Sequence, residues 1–213
     1  MRFPGSSPGL KARQALPRND KLHIMINKKF VQQLKKDFDA HGSERRQIIN
    51  AANAVLHDSK KAIFALHRDD IAGAEKTLEE LEEIIKNLEK KFSFSRLMQE
   101  GSYKAALEEY VEAKMLLLVM TGKKVDKVKG IEIDYESYLG GISDLIGELV
   151  RHAIKMATLG KYDEVKKIHQ IADDIMAELV EFDMRSYLRT KYDQAKGHLR
   201  KIEQINYEIN LRK

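Results

Sequence analysis

Leu107-Glu108-Glu109-Tyr110-Val111-Glu112-Ala113 sets three carboxylates among apolar residues at helical spacing. Read as a strand, the stretch would need strict alternation, which it lacks. Read as a helix, Glu109 and Glu112 stand at i and i+3 and Glu108 and Glu112 at i and i+4, so they share a face about 5–6 Å apart at Cβ. Asp144-Leu145-Ile146-Gly147-Glu148 repeats the arrangement downstream, with Asp144 and Glu148 at i and i+4. If two such helices face each other, three or four carboxylates converge into a hard-oxygen site suited to Mg²⁺ or Mn²⁺. Acidic pairs at this spacing also occur on solvated helix faces, and at this point both readings stand.

The helical reading extends outward from that stretch. All three prolines, Pro4, Pro8 and Pro17, fall in the first seventeen residues, and the body beyond them has none. Residues 1–24 therefore form a proline-, glycine- and serine-bearing leader, expected to be disordered and tag-like, with Met25 as a natural start. A basic targeting peptide is the other reading. The leader holds Arg2, Lys11, Arg13, Arg18 and Lys21 against Asp20, so of the chain's formal +5 only +1 belongs to residues 25–213. The basic pI is thus no argument for a nucleic-acid surface, which has to be sought in local clusters.

From Lys28 to His67 the pattern is helical, with His41-Gly42-Ser43 a candidate break and Ser43 a candidate cap for the restart. Ile48, Ile49, Ala52, Val55, Leu56, Ala62, Ile63 and Leu66 give a stripe of period 3.6. Asp69 or Asp70 starts a second helix, striped by Ile71, Ala74, Leu78, Leu81, Ile84, Ile85 and Leu88. A loop or short helix over Phe92 to Glu100 leads to a third long helix, Ser102 to Met120, carrying the first acidic stretch. A lysine-rich connection (Lys123, Lys124, Lys127, Lys129) precedes the fourth, Tyr135 to Leu159, carrying the second. A fifth ends near Phe182 and a sixth runs from Met184 to Leu211. Gly140, Gly141 and Gly147 each cost about 1 kcal/mol relative to alanine inside a helix. They make sense where another helix or a ligand approaches closely. The fold class is all-α, a single-domain bundle of six to seven helices over residues 25–213. Gly-Ser-Tyr at 101–103 and Gly-Lys-Tyr at 160–162 resemble tetratricopeptide starts, but no 34-residue period is sustained.

Several chemistries are excluded. Cysteine is absent, which removes disulfides, thiolate metal sites and a cysteine nucleophile, and fits an intracellular, cytoplasmic protein. No apolar run approaches the roughly 18 residues of a membrane span. The sequence holds no Glu-x-x-His pair, no His-Glu-x-x-His, no Walker loop and no Gly-x-Gly-x-x-Gly. The carboxylates are the only coherent candidate for catalysis. For nucleic acid, the candidates are Lys60, Lys61 and Arg68 on the first helix, which also read as solvated residues and a helix end. The last helix offers basic residues, Arg189 and Arg200 among them, interleaved with Tyr187, Tyr192 and Tyr207. These suit either single strands or a snorkelling surface.

Three segments, taken together, resemble a known family. Ser59-Lys60-Lys61-Ala62-Ile63-Phe64-Ala65-Leu66-His67-Arg68 is similar to a first-helix motif of the translin-associated factor X (TRAX) proteins. Glu109-Tyr110-Val111-Glu112-Ala113 resembles their acidic motif. Asp134-Tyr135-Glu136-Ser137-Tyr138-Leu139-Gly140-Gly141 leads into Asp144–Glu148 as their second acidic helix does. The last helix, through Lys191-Tyr192-Asp193 and Lys201-Ile202-Glu203 to Leu211-Arg212, resembles the C-terminus shared with translin.

The resemblance covers residues 28–212 and is closer to the TRAX-like, nuclease-bearing branch. It implies a translin-like subunit of about seven helices, assembled as a homo-octameric shell around single-stranded RNA, with single-stranded DNA as a second ligand. It also implies Mg²⁺- or Mn²⁺-dependent endoribonuclease activity. The matching catalytic and metal positions are Glu109, Glu112 and Asp144, with Glu148 as a further metal position. The alternative within the family is a non-catalytic, translin-like binder of single strands.

Overall fold

The computed structural model describes residues 26–211, and among these all regular secondary structure is helical, with no strand. The leader and the proposed start at Met25 lie outside the described residues. Seven helices follow in order: α1 Lys28–His67, α2 Ile71–Lys91, α3 Phe94–Leu97, α4 Gly101–Met120, α5 Tyr135–Thr158, α6 Tyr162–Leu179 and α7 Ser186–Leu211.

The chain divides into two units, 1–41 and 42–213. In the first, Asn27 caps α1 by accepting from Lys29 N at 3.0 Å. Its apolar Phe30, Val31, Leu34 and Phe38 are all exposed. The expected break at His41-Gly42-Ser43 is absent, because those residues are helical. One glycine costs about 1 kcal/mol, too little to end a helix that has no proline. Ser43 caps nothing; its carbonyl oxygen and Oγ instead accept from Gln47 Nε2, one turn on.

In the second unit, α5 is the hub, packed against α4, α6 and α7, while α2 packs on α4. The stripe from Ile48 to Leu66 is buried along one face of α1, and α2 buries Ala74, Leu78, Leu81, Ile85 and Leu88. α4 is buried nearly all round, through Tyr103, Leu107, Tyr110, Val111, Met115 and Leu116, as befits a helix at the centre of a bundle. Each such side chain contributes about 1.5–3 kcal/mol by leaving water.

Turn chemistry fixes the order. α1 ends with Asp69 in the left-handed region (φ 64°). Asp70 N–H reaches Ala65 O at 3.0 Å and Asp69 N–H reaches Leu66 O at 2.9 Å, the paired bonds of a Schellman stop. Asp70 then caps α2, its Oδ1 accepting from Gly73 N at 2.9 Å. Gly122 and Gly160 end α4 and α5 in the same way at φ 69° and 71°. The missing seventh helix is α3, a single turn whose cap, Ser93 Oγ, accepts from Arg96 N at 3.2 Å.

α4 and α5 cross at glycine. A Cβ on Gly141 would stand 2.7 Å from Glu108 O and 2.8 Å from Val111 Cβ, and one on Gly140 would strike the Glu108 carboxylate. The absence of side chains there lets the two acidic stretches face each other. No helix among the described residues is long and apolar enough to cross a membrane.

Candidate metal centre

α4 presents Glu109 and Glu112, and α5 presents Asp144 and Glu148. The four carboxylates share one region, because the charge on Glu112 is felt together with those of Glu109, Asp144 and Glu148. Glu112 is the most enclosed, at 9% exposure. Burial first, and then the three neighbouring carboxylates, push its pKa up to about 9. Burial also raises Glu109, with Asp144 adding to the rise and Lys60 opposing it. Asp144 is raised by burial against the pull of Lys191. Glu148 goes the other way: burial is outweighed by its hydrogen bond to His67 and by Arg151, and its pKa falls.

Basic side chains from α1, α5 and α7 surround the cluster. Lys60 Nζ on α1 stands 3.7 Å from Glu109. His67 Nε2, two turns further along α1, is bonded to Glu148, and Arg151 Nη1 lies 3.6 Å from the same carboxylate. Arg151 also stacks on the exposed ring of Phe64 at 4.8 Å. From α7, Lys191 Nζ pairs with Asp144 and lies 2.8 Å from Glu108. Tyr187 OH donates to Glu108 at 2.6 Å. The His198 ring lies 3.4 Å from where a Gly147 Cβ would be.

Thus Glu109, Asp144 and Glu148 pair with Lys60, Lys191 and Arg151, and among the described residues Glu112 has no ion pair. Among the described residues no three His, Cys, Asp or Glu side chains stand in an arrangement that would hold a metal ion. Lys60, Lys191 and His67 each hold one carboxylate of the set, Glu109, Asp144 and Glu148 in turn. The donor chemistry nevertheless fits a hard divalent ion. The donor oxygens are all carboxylate, and the most buried of them, Glu112, carries a pKa raised by burial and by its three neighbours, as crowded acids without a cation do.

The structure brings Lys60 to the cluster, while the other basic candidates behave differently. Lys61 pairs with Asp58 at 2.7 Å on its own helix. Arg189 pairs with Asp193 at 3.0 Å and lies over the Tyr192 ring. Arg68 and Arg200 are exposed. Sequence reasoning missed His67, Tyr187, Lys191 and His198 as neighbours of the cluster. A signal was present: Lys60 and His67 are seven residues apart on α1, and Tyr187, Lys191 and His198 keep one face of α7.

Comparison with known proteins agrees with the fold. An uncharacterised protein of Methanocaldococcus jannaschii is 28% identical over 164 residues, 75% of this chain and 73% of that protein. Chicken (Gallus gallus) translin is 27% identical over 124 residues, 57% of this chain. That alignment covers 54% of the chicken protein, so the match spans about half its length. Among solved structures, AfC3PO in complex with duplex RNA superposes with a TM-score of 0.77 at 20% identity, covering 86% of this chain and 97% of that one. Apo-NeC3PO gives 0.76 at 23%, covering 84% and 96%. The translin family model matches residues 43–213, and the chain belongs to the translin family.

Proposed function

We propose that this protein is a metal-dependent endoribonuclease of the TRAX-like branch, cutting RNA at the α4–α5 carboxylate cluster. The observation that carries the reading is Glu112: buried beside three other carboxylates that further raise its pKa and, among the described residues, without an ion pair. A scaffold gains nothing from such an arrangement, whereas a divalent cation resolves it. Glu109, Glu112 and Asp144 would hold Mg²⁺ or Mn²⁺, with Glu148 assisting directly or through water. A bound ion of this kind lowers the pKa of a coordinated water and offsets charge on the transferring phosphate.

The chain's own residues supply the rest. Glu112, its pKa pushed up to about 9 by burial and its neighbours, holds its proton at neutral pH and would give it up to a cation bound beside it. His67 fixes the orientation of Glu148 from behind. Lys60, half exposed at the cluster's edge, can receive a phosphate oxygen. Arg68 and Arg200 would extend that contact, with Lys61 and Arg189 available once released from Asp58 and Asp193.

RNA as ligand is supported by the similarity to AfC3PO, whose complex contains duplex RNA. Single strands and self-association into a homo-octamer are carried by the family resemblance, and the proposed cytoplasmic setting by the cysteine-free sequence. The pairing of three carboxylates with lysine and histidine favours one alternative, a non-catalytic RNA-binding shell. Cleavage of labelled single-stranded and duplex RNA in Mg²⁺, Mn²⁺ or EDTA separates the two. Glu112→Ala and Asp144→Asn would run beside the parent at matched oligomeric state by gel filtration. Metal-dependent cutting lost in both variants supports the nuclease. Binding without cutting in every metal leaves the shell, and equal cutting by all three proteins removes the cluster from the reaction.

A further inference from the structure

We propose that Lys191 is a built-in counter-cation for Asp144, and that a divalent ion entering the cluster must displace its ammonium, which Glu108 and Tyr187 then retain. This rests on the metal reading above but concerns the exchange rather than the cut.

The geometry is specific. Lys191, from α7, pairs with a carboxylate on each of the two acidic helices, Glu108 on α4 and Asp144 on α5. Its side chain is 17% exposed and its Nζ lies 5.4 Å from the Tyr187 ring centre. Tyr187 in turn donates to Glu108 at 2.6 Å. Glu108 is therefore a second seat for the ammonium, already organised by a tyrosine one turn away on the same helix. Asp144 is the only one of the four cluster carboxylates that Lys191 pairs with. Freeing it leaves Lys191 with a partner, so the exchange strands no buried charge. An opposite charge in hydrogen-bond contact shifts a carboxylate's ionic equilibrium by about one to three decades. Competition on that scale would weaken the first cation accordingly.

Two measurements on the full chain test it. The first is Mn²⁺ binding, read by the loss of the free-ion electron paramagnetic resonance signal, for the parent, Lys191→Met, Lys191→Arg and Asp144→Asn. The expected pattern is binding at least about tenfold tighter in Lys191→Met, near-parental in Lys191→Arg and lost or weakened in Asp144→Asn. Equal or weaker binding in Lys191→Met, with Asp144→Asn still impaired, overturns the counter-cation and leaves the metal site standing. No Mn²⁺ binding by either the parent or Lys191→Met overturns both. The second measurement needs no variant. Acetylation of Lys191 in the parent, followed by mass spectrometry against Lys166, should rise several-fold on adding Mg²⁺. An unchanged ratio overturns the exchange, and this readout decides the matter if Lys191→Met fails to fold.

Discussion

Glu112→Gln should make the metal-free protein more stable, although it removes a residue of the proposed catalytic set. The folded chain holds Glu112 protonated up to about pH 9, while the unfolded chain releases that proton near 4.5. Between those values the unfolded state binds fewer protons, so rising pH favours unfolding. Stability from this group is complete below pH 4.5 and drains away as pH climbs towards 9. At pH 7.5 the gap is three pH units, a ceiling of about 4 kcal/mol at 1.36 kcal/mol per unit. Rotation of the side chain towards water would relieve part of it. For a domain of this size each kcal/mol moves Tm by about 2–4 °C, so if half survives the variant gains about 4–8 °C. The assay is thermal melting of both proteins in EDTA from pH 4 to 9. Their curves should coincide at pH 4 and separate steadily above pH 5. Saturating Mn²⁺ should raise the parent's Tm at pH 7.5 and leave the variant's nearly unmoved. A gap independent of pH, or a parent that melts higher at pH 8 in EDTA, would refute the reasoning.

Three further outcomes follow from packing and charge. Gly141→Ala places a methyl 2.7 Å from Glu108 O and 2.8 Å from Val111 Cβ; it should lower stability by about 1–3 kcal/mol in denaturant titration, as overpacking does. Gly101→Ala, which meets nothing within 4 Å, serves as its control. Glu82 accepts from buried Tyr110 OH and from Lys114 Nζ, both at 2.7 Å. Glu82→Ala should therefore cost about 1–3 kcal/mol by orphaning the hydroxyl, and Tyr110→Phe added to it should restore part of the loss in a double-mutant cycle. Lys60→Gln should weaken single-stranded RNA binding and reduce the slope of log K against log salt by about 0.7, one phosphate's worth. An unchanged slope would remove Lys60 from the interface.

Much of this architecture was legible because helices announce themselves through period and punctuation. Ile48, Ala52, Val55, Ala62, Ile63 and Leu66 are buried as read, with Ile49 and Leu56 half-buried at the edge; proline is confined to the leader, and Gly140-Gly141 mark a close crossing. The misreading at Ser43 came from treating a capping residue as a cap, when nothing in the local pattern stops the helix there. α3 was left open because one turn is too short for period to register. The site was legible only in part. Spacing along a helix shows which side chains share a face, and so placed Glu109 with Glu112 and Asp144 with Glu148. It cannot show which distant residue faces them. The pairs Lys191–Asp144 and His67–Glu148 join residues 47 and 81 apart in sequence, and only the packing of α1 and α7 around the α4–α5 pair brings them together.

The glycine crossing of α4 and α5 also bears on ion size. Mg²⁺ requires oxygens at about 2.0–2.1 Å and Ca²⁺ accepts about 2.3–2.6 Å. Ligands split between two helices inherit their spacing from whatever separates the backbones, here the bare Cα atoms of Gly140 and Gly141. Side-chain volume at those two positions then acts as a gauge. In the proposed metal centre, a chain with alanine at position 141 would hold the carboxylates farther apart, shifting preference away from the smaller cation without altering any proposed ligand.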